Sequence, residues 1–522
     1  MRSLKTLRKL YDEEAHLIIT ERSSPPRIIF SGEDLLQEYL PEGTRVILPR
    51  PPMEGVPNLK AAVRWALNHP EGIEPLHALL KPGLKVTVAL DDLSVPLPQM
   101  RTPDARQTIL EIVLELLEGS GVDDVHLIIA NGLSRRLTPA ELRRMVGGRI
   151  FDAFHPDRLY NHDAEDPQGQ EGVVQLESSR AGKGEGMAFN RRATESDLLI
   201  HISLTGASGA FGPRSLATGL TDYATLKAAR GQEEKLGQRL EKDLKIFQIA
   251  AALNNRMFDG PLSFLGKKEE EYTEVDRLKL QGLRFGLQRL PRAAKRKLLF
   301  NIPAAYEVIG VHAGAPAPTR EKISELCIRQ HVVPVEGQAD VLIFGIPYVS
   351  PYNVNSILNP LLLQAVGLGD LFNLHRGTPL LKKGGVLILC HPAYDEFDPA
   401  HHPSSIEFFH RLLPETRDAE TLEKKYERAF AENPSYVHLY RKGNAFHGVH
   451  PFQLWYQSEA GRQHAGKVIV AGAENNHVPE RLGWDRAGSL SEALEAARGF
   501  AGRSAQLSFV HSPPLLLTDV RA

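Results

Sequence analysis

From residue 85 onward the sequence alternates short β-branched runs with amphipathic stretches, and this alternation is what most restricts the fold. Runs of strand length that are apolar on both faces belong in a sheet covered on both sides, and helices lying between them make that sheet parallel. The first run, residues 86–90, ends in two adjacent carboxylates, Asp91 and Asp92, followed by Ser94, Pro96 and Pro98. Residues 102–117 then place Ile109, Ile112, Val113, Leu116 and Leu117 on one helical stripe. Gly119 and Gly121 stop that helix, and residues 125–132 read as the next strand. Thr138, Pro139 and Glu141 carry the signature of a capping box with proline at the first helical position. A third strand, residues 197–204, leads into a glycine-rich loop, residues 206–219. The expected fold class is α/β: two α/β lobes with mostly parallel sheets and helices on both faces, joined by a helical connecting segment.

The second lobe rests on strand-like runs at residues 339–349, 384–392, 464–473 and 504–514, separated by helical stretches at 356–366, 406–413, 420–433 and 490–500. Between the lobes, stretches 236–249 and 269–290 carry the Lys/Glu spacing of solvent-facing helices. At 522 residues the chain exceeds one hydrophobic core. The expected division is an N-terminal α/β lobe over 1–230, a helical connecting segment over 231–305 and a C-terminal α/β lobe over 306–522. A net charge of −2 gives no pull toward nucleic acid or an anionic membrane. Two cysteines, Cys327 and Cys390, argue against a disulfide scaffold and exclude a cysteine-rich zinc site. The N-terminus lacks the apolar core of a signal peptide and no run of eighteen apolar residues occurs, so the cytoplasm is the expected location.

In open α/β sheets ligands sit beyond the carboxyl ends of the strands. Asp91, Asp92 and Ser94 fall at such an end, as candidates for proton transfer and ligand contact; the same residue types also serve as helix caps or turn formers. His162, within Asn161–His162–Asp163, is the histidine singled out, its alternative being a loop tied down by Asx side chains. Arg135, Arg214 and Arg230 recur where loops meet, and guanidinium forks match carboxylate or phosphate geometry, although surface roles suit them equally. No P-loop, nucleophile elbow or HExxH motif occurs, the glycine-rich loop does not fit GxGxxG, and no metal ligands are assigned.

Taken in order and spacing, these segments resemble the nickel-dependent lactate racemase family, the nickel-pincer-nucleotide 2-hydroxyacid racemases. DDLSVPLP at 91–98 is similar to the family's DD-x-T-R-P-T-P element, and IIANGLSRRLTPAEL at 128–142 to its A-T-G-T-H-R…T-x-x-E-L segment. Asn161–His162–Asp163 matches outright, and RRATESDLLIHIS at 191–203 resembles the strand leading to the cofactor loop. In the second half YEVIGVHAGAPAPTR, ADVLIFG and LLKKGGVLIL follow in the family's order, with residues 251–300 resembling an insertion. The resemblance implies a lysine that carries the pincer nucleotide, a nickel-ligating histidine and two proton-exchanging histidines. Those positions fall here on Arg214, Arg230, Ser134 and Gly206, and the arginine of the first element becomes Val95. Asp91, Asp92, Ser94, Gly132, Arg135 and His162 survive, and Trp455 corresponds to a family tryptophan. A guanidinium stays protonated, so it neither forms the lysine linkage nor ligates a cation. Serine alone is no base near neutral pH.

The expectation is therefore a diverged lactate racemase-like protein, without the nickel-pincer nucleotide or any other cofactor. It would bind a small anionic molecule (hydroxy acid, sugar acid or phosphorylated compound) in an interlobe cleft through Ser94, Gly132, Arg135, Arg214, Arg230 and Trp455. Asp91, Asp92, His162 and Ser134 are the groups left for isomerase-type proton transfer. Two alternatives stand beside it: a non-catalytic ligand-binding or regulatory protein of the same fold, and a working isomerase with relocated residues, His201 and Lys227 being the nearest substitutes. The sequence leaves the oligomeric state open.

Overall fold

The computed structural model describes residues 16–94, 98–166, 172–174, 187–207, 216–348 and 356–521. Val95, Pro96 and Arg214 lie outside the described residues. Four short strands come first: β1 (Leu17–Ile19), β2 (Arg27–Gly32), β3 (Asp34–Glu38) and β4 (Arg45–Ile47). Then follow β5 (Lys85–Asp91), β6 (Asp124–Ala130), β7 (Leu159–Asn161), a two-stranded ribbon of β8 (Gly172–Val174) and β9 (Met187–Phe189), β10 (Leu198–Thr205), β11 (Ile246–Leu253) and β12 (Val308–Gly314). Six of these form one sheet in the order β12-β11-β10-β5-β6-β7, parallel except for β12. The later strands are β13 (Val332–Glu336), β14 (Ala339–Pro347), β15 (His375–Arg376), β16 (Leu381–Cys390), β17 (Lys467–Ala471), β18 (Asp485–Ala487), β19 (Leu507–Val510) and β20 (Leu517–Arg521). A second sheet runs β1-β4-β19-β14-β16-β17-β18, with β2 pairing to β14 and β3 to β2, and β13-β20-β15 form a small third sheet. The α/β class, with mostly parallel sheets and interleaved helices, is as expected.

Strand β5 shows why the alternation works. Val86, Val88 and Leu90 face a core that includes Ile109, Ile112, Val113 and Leu117 of the helix Ala105–Gly119, while Ala89 faces Ile128 and Leu199 on the other side. Each such aliphatic side chain removed from water contributes about 2 kcal/mol. The helix starts at 105 rather than 102 because the Asp104 carboxylate accepts from Arg106 N and caps it there. The helix Pro139–Val146 carries the expected capping box, Thr138 Oγ1 accepting from Glu141 N and the Glu141 carboxylate from Thr138 N. No helix among the described residues is long and apolar enough to cross a membrane.

The sheets depart from the expected division of the chain in three places. Residues 246–249, read as the end of a helix, begin β11, which lies beside β10 with all eight of its residues buried. The helix there is Glu233–Asp243. A strand buried on both faces presents a continuous apolar run, and such a run has no periodicity to separate it from a buried helix. Second, β12 closes the first sheet antiparallel to β11, although it was placed in the C-terminal lobe. Third, β1–β4 join the second sheet, not the first. Residues 251–300 do supply helices, Glu274–Arg289 and Arg292–Phe300, but the second of these and the turn Glu269–Glu271 pin the N-terminal strands: Lys295 pairs with Asp34 at 2.7 Å, Arg296 with Glu33, and buried Arg27 with Glu269 at 2.9 Å. The helix expected over 356–366 is Pro360–Gln364, continuing into a wider turn, Ala365–Leu371.

Candidate functional site

A cleft of about 1120 Å³ opens beyond the carboxyl ends of β5 and β6. One wall comes from those strand ends and the segments Leu216–Gly219, Tyr223–Ala228 and Glu233–Asp243; the other comes from the second half of the chain around Glu423, Gln453 and Tyr456. Asp91, Asp92, Ser94, Ser134 and Arg230 all line it.

Asp91 is the last residue of β5, and its Oδ1 lies 3.0 Å from Nε2 of His201, two positions along from its neighbouring register on β10. His201 Nδ1 donates to Gln248 Oε1 at 2.8 Å, and Gln248 Nε2 donates to Ser203 Oγ at 2.8 Å. With Nδ1 turned to Gln248, the Nε2 edge of the imidazole faces Asp91. The carboxylate faces the cleft while the imidazole is buried behind it, so the pair can accept and return a proton at the cleft wall.

Asp92 is held differently. Its Oδ1 accepts from Ser94 N at 3.0 Å and from the Ser94 hydroxyl, forming an Asx turn. The backbone beneath both aspartates is fixed by Arg106, a fully buried guanidinium donating to Asp91 O at 3.0 Å and Asp92 O at 2.7 Å and paired with Asp104. Burial opposes its charge, but Asp104 and the two aspartates outweigh that and raise its pKa.

Arg230 reaches the cleft already committed. Its Nη1 pairs with Glu423 at 2.8 Å, its Nη2 with fully buried Glu427 at 2.8 Å, and its plane lies over the Tyr456 ring at 4.3 Å. Glu427 also accepts from the Tyr223 and Tyr456 hydroxyls, each at 2.7 Å. Burial, then the hydrogen bond to Glu427, drives both phenols well above their ordinary pKa. Lys227 lines the same cleft with its ammonium 5.9 Å from the Tyr223 ring centre, and makes no ion pair among the described residues.

Four expected site residues turn out to be framework. His162 is buried, with Nε2 donating to Thr221 O at 3.1 Å and Nδ1 accepting from Asn190 Nδ2 at 3.1 Å; burial lowers its pKa to about 4, so it is a satisfied neutral histidine away from the cleft lining. Arg135 is a bidentate partner of Glu141, the capping-box carboxylate, at 3.0 and 2.6 Å, and does not line the cleft. Gly132, with φ +51°, donates to Gly219 O at 2.9 Å; a Cβ there would meet Thr218 O at 2.3 Å, so it serves close packing, not ligand contact. Trp455 is fully buried, its Nε1 donating to Arg417 O at 3.0 Å. Of the three arginines expected to hold an anion, Arg135 is paired with Glu141 and does not line the cleft, Arg230 is clamped and Arg214 lies outside the described residues.

Sequence reasoning missed Glu427, Tyr223, Tyr456 and Arg106. Glu427 sits in a charged helical stretch, and its partners from other segments reveal it as buried. The donor set also bears on the metal implied by the resemblance. No histidine or cysteine occurs among the described residues lining the cleft, and the nickel-ligand position presents a guanidinium fixed between two carboxylates. These residues do not fit a histidine-ligated nickel.

Residues 32–229 match the lactate racemase N-terminal domain. Among solved structures, the lactate racemase apoprotein from Thermoanaerobacterium thermosaccharolyticum is similar over 96% of this chain and 100% of that one, with a TM-score of 0.59 at 16% identity. A protein from Thermotoga maritima, solved by the Northeast Structural Genomics Consortium, shows a fainter likeness: TM-score 0.46, 14% identity, 90% of this chain and 100% of that one. No curated protein matches the chain in sequence. At such identities the shared property is the fold.

Proposed function

We propose that the chain, whose residues 32–229 match the lactate racemase N-terminal domain and whose fold is shared with a lactate racemase apoprotein over nearly its whole length, is a diverged member of that family whose cleft binds a small hydroxy acid without nickel-pincer chemistry. The observation that carries this reading is the pairing, in one cleft, of an uncommitted ammonium at Lys227 with the aspartate-and-serine end of β5. The ammonium takes the ligand carboxylate; Asp92 and Ser94 take its hydroxyl groups. The remaining lining is rich in carboxylates, among them Glu233, Glu234 and Glu420, which disfavours a phosphorylated ligand of higher negative charge. That sharpens the anion expected from sequence to one of single charge.

Titration calorimetry with D-lactate, L-lactate, D-glycerate and D-gluconate tests it. At least one acid should bind, and Lys227→Ala should weaken that binding at least tenfold. Failure of all four, or equal binding by the variant, overturns the hydroxy-acid reading. Metal analysis and intact mass should show neither stoichiometric nickel nor an added nucleotide; both together would restore the family's chemistry.

The Asp91–His201 pair favours a second reading, a working isomerase with relocated groups. In it Asp91 removes the proton next to the substrate carboxylate, the planar enediolate turns over in the cleft, and Asp91 returns the proton to the opposite face, with His201 sharing the charge. Incorporation of solvent deuterium at that carbon, abolished in Asp91→Asn, supports the isomerase; binding without exchange supports a non-catalytic protein.

A further inference from the structure

Three side chains from three separate segments converge beyond the carboxyl ends of β16 and β17. Asp395 follows β16, His410 lies in the helical turn Phe408–Leu412, and His477 opens the helix His477–Leu482 after β17. His477 Nδ1 is 2.7 Å from one Asp395 oxygen, and His410 Nε2 is 3.6 Å from the other. All three ligand atoms lie within 4.8 Å of one another. The two imidazole planes are nearly parallel, 14° apart with centroids 6.0 Å apart. Fully buried Phe409 sets its ring against both, at 5.1 and 5.9 Å, and Phe397 flanks His410 at 5.7 Å. None of the three lines the hydroxy-acid cleft.

We propose that Asp395, His410 and His477 form an open divalent transition-metal site, with zinc as the representative ion. Metal–nitrogen and metal–oxygen bonds of about 2.1 Å require donors roughly 3–3.5 Å apart, and half-exposed side chains reach that spacing by small rotations. Two imidazoles with one carboxylate suit zinc and its borderline neighbours, not magnesium or calcium, which prefer all-oxygen sets. Among the described residues three protein ligands converge, which leaves the remaining positions for solvent, as in exchangeable zinc sites. One neighbour resists the ion. Arg481 Nη2 donates to His477 Nε2 at 3.3 Å, which leaves the ring hydrogen on Nδ1, facing Asp395. Binding through Nδ1 releases that proton and places one on Nε2, so Arg481 turns away into solvent.

Zinc chloride titrated into the tag-free chain, followed by calorimetry, tests the site. One ion should bind, His410→Ala and His477→Ala should each weaken it at least tenfold, and Arg481→Ala should bind at least as tightly as the wild type. Magnesium should give no heat. Wild-type affinity retained in both histidine variants, or no zinc bound by the wild type, overturns the assignment. Because a variant could lose fold rather than ligand, cobalt(II) added to the unmodified chain gives an independent reading: visible absorption saturating at one equivalent and bleached by zinc is expected, and its absence also overturns the site.

Discussion

Arg230 Nη2 lies 2.8 Å from the carboxylate of Glu427, a group with no solvent exposure, so this arginine is spent on neutralising its own protein. Arg230→Ala would leave a buried charge with only two phenols as partners. The expected loss is about 3 kcal/mol, in the range for breaking a buried ion pair from one side. Arg230→Ala combined with Glu427→Gln should recover part of that loss, because the buried charge goes too. Thermal melts of the single and double variants check this; a single variant as stable as the wild type contradicts it.

His201 bridges Asp91 and Gln248 across two neighbouring strands. His201→Leu keeps apolar volume but leaves both partners unsatisfied, which costs about 1–3 kcal/mol for each buried polar group stranded. Asp91→Asn should be milder, since the amide still offers a hydrogen to Nε2. Denaturant unfolding of the two variants should rank them in that order.

The sheet was legible wherever a strand alternates with an amphipathic helix: β5, β6, β10, β14 and β16 and the capping box at Thr138 lie close to where the sequence puts them. It failed at β11, whose run Ile246–Leu253 is apolar on both faces, and in the lobe given to the N-terminal strands, because β2 and β4 pair with β14 and β19, hundreds of residues away. That Asp91, Asp92 and Ser94 line a cleft was legible because the fold class itself says that clefts open beyond the carboxyl ends of the strands. Arg135 and Arg230 were misjudged for one reason. A sequence shows a guanidinium but not the carboxylate facing it, here Glu141 in one case and Glu423 with Glu427 in the other.

Gly132 joins the loop after β6 to the segment Leu216–Gly219. Its backbone is left-handed, φ +51°, and its missing side chain leaves room for Thr218 O. Gly132→Ala adds a Cβ 2.3 Å from that carbonyl in a conformation that already disfavours side chains. It should lower stability by about 2–4 kcal/mol and, by parting these two loops, weaken hydroxy-acid binding as well. Gly43→Ala, also left-handed at φ +82° but with nothing within 4 Å, isolates the backbone contribution and should cost about 1 kcal/mol.

Buried histidines dictate how the fold responds to acid. Burial holds His162 and His331 at about 4 and His391 and His450 at about 3, and pushes His402 well below its ordinary value. The unfolded chain takes up protons at these side chains near pH 6.5 whereas the native chain does not. Each therefore contributes stability that is complete above pH 6.5 and lost as the pH falls toward its native value, at up to about 1.4 kcal/mol per pH unit. His511 acts in the opposite sense: burial opposes its charge, but Glu269, 2.9 Å away, outweighs burial and raises its pKa, so its contribution is present below pH 6.5 and lost as the pH rises through the raised value. Glu269, itself held at about 2, adds stability above pH 4.5 that fades on further acidification. Between pH 6.5 and 4 the five buried histidines act together, because the contribution of His511 is already complete there. The melting temperature should fall steeply across that interval, and His511→Gln should remove the stability gained on acidification toward pH 6.5 from above while leaving the histidine-driven fall below it in place. Differential scanning calorimetry from pH 8 to 4 measures both; a flat profile for the wild-type chain would mean that these histidines are protonated in the folded state.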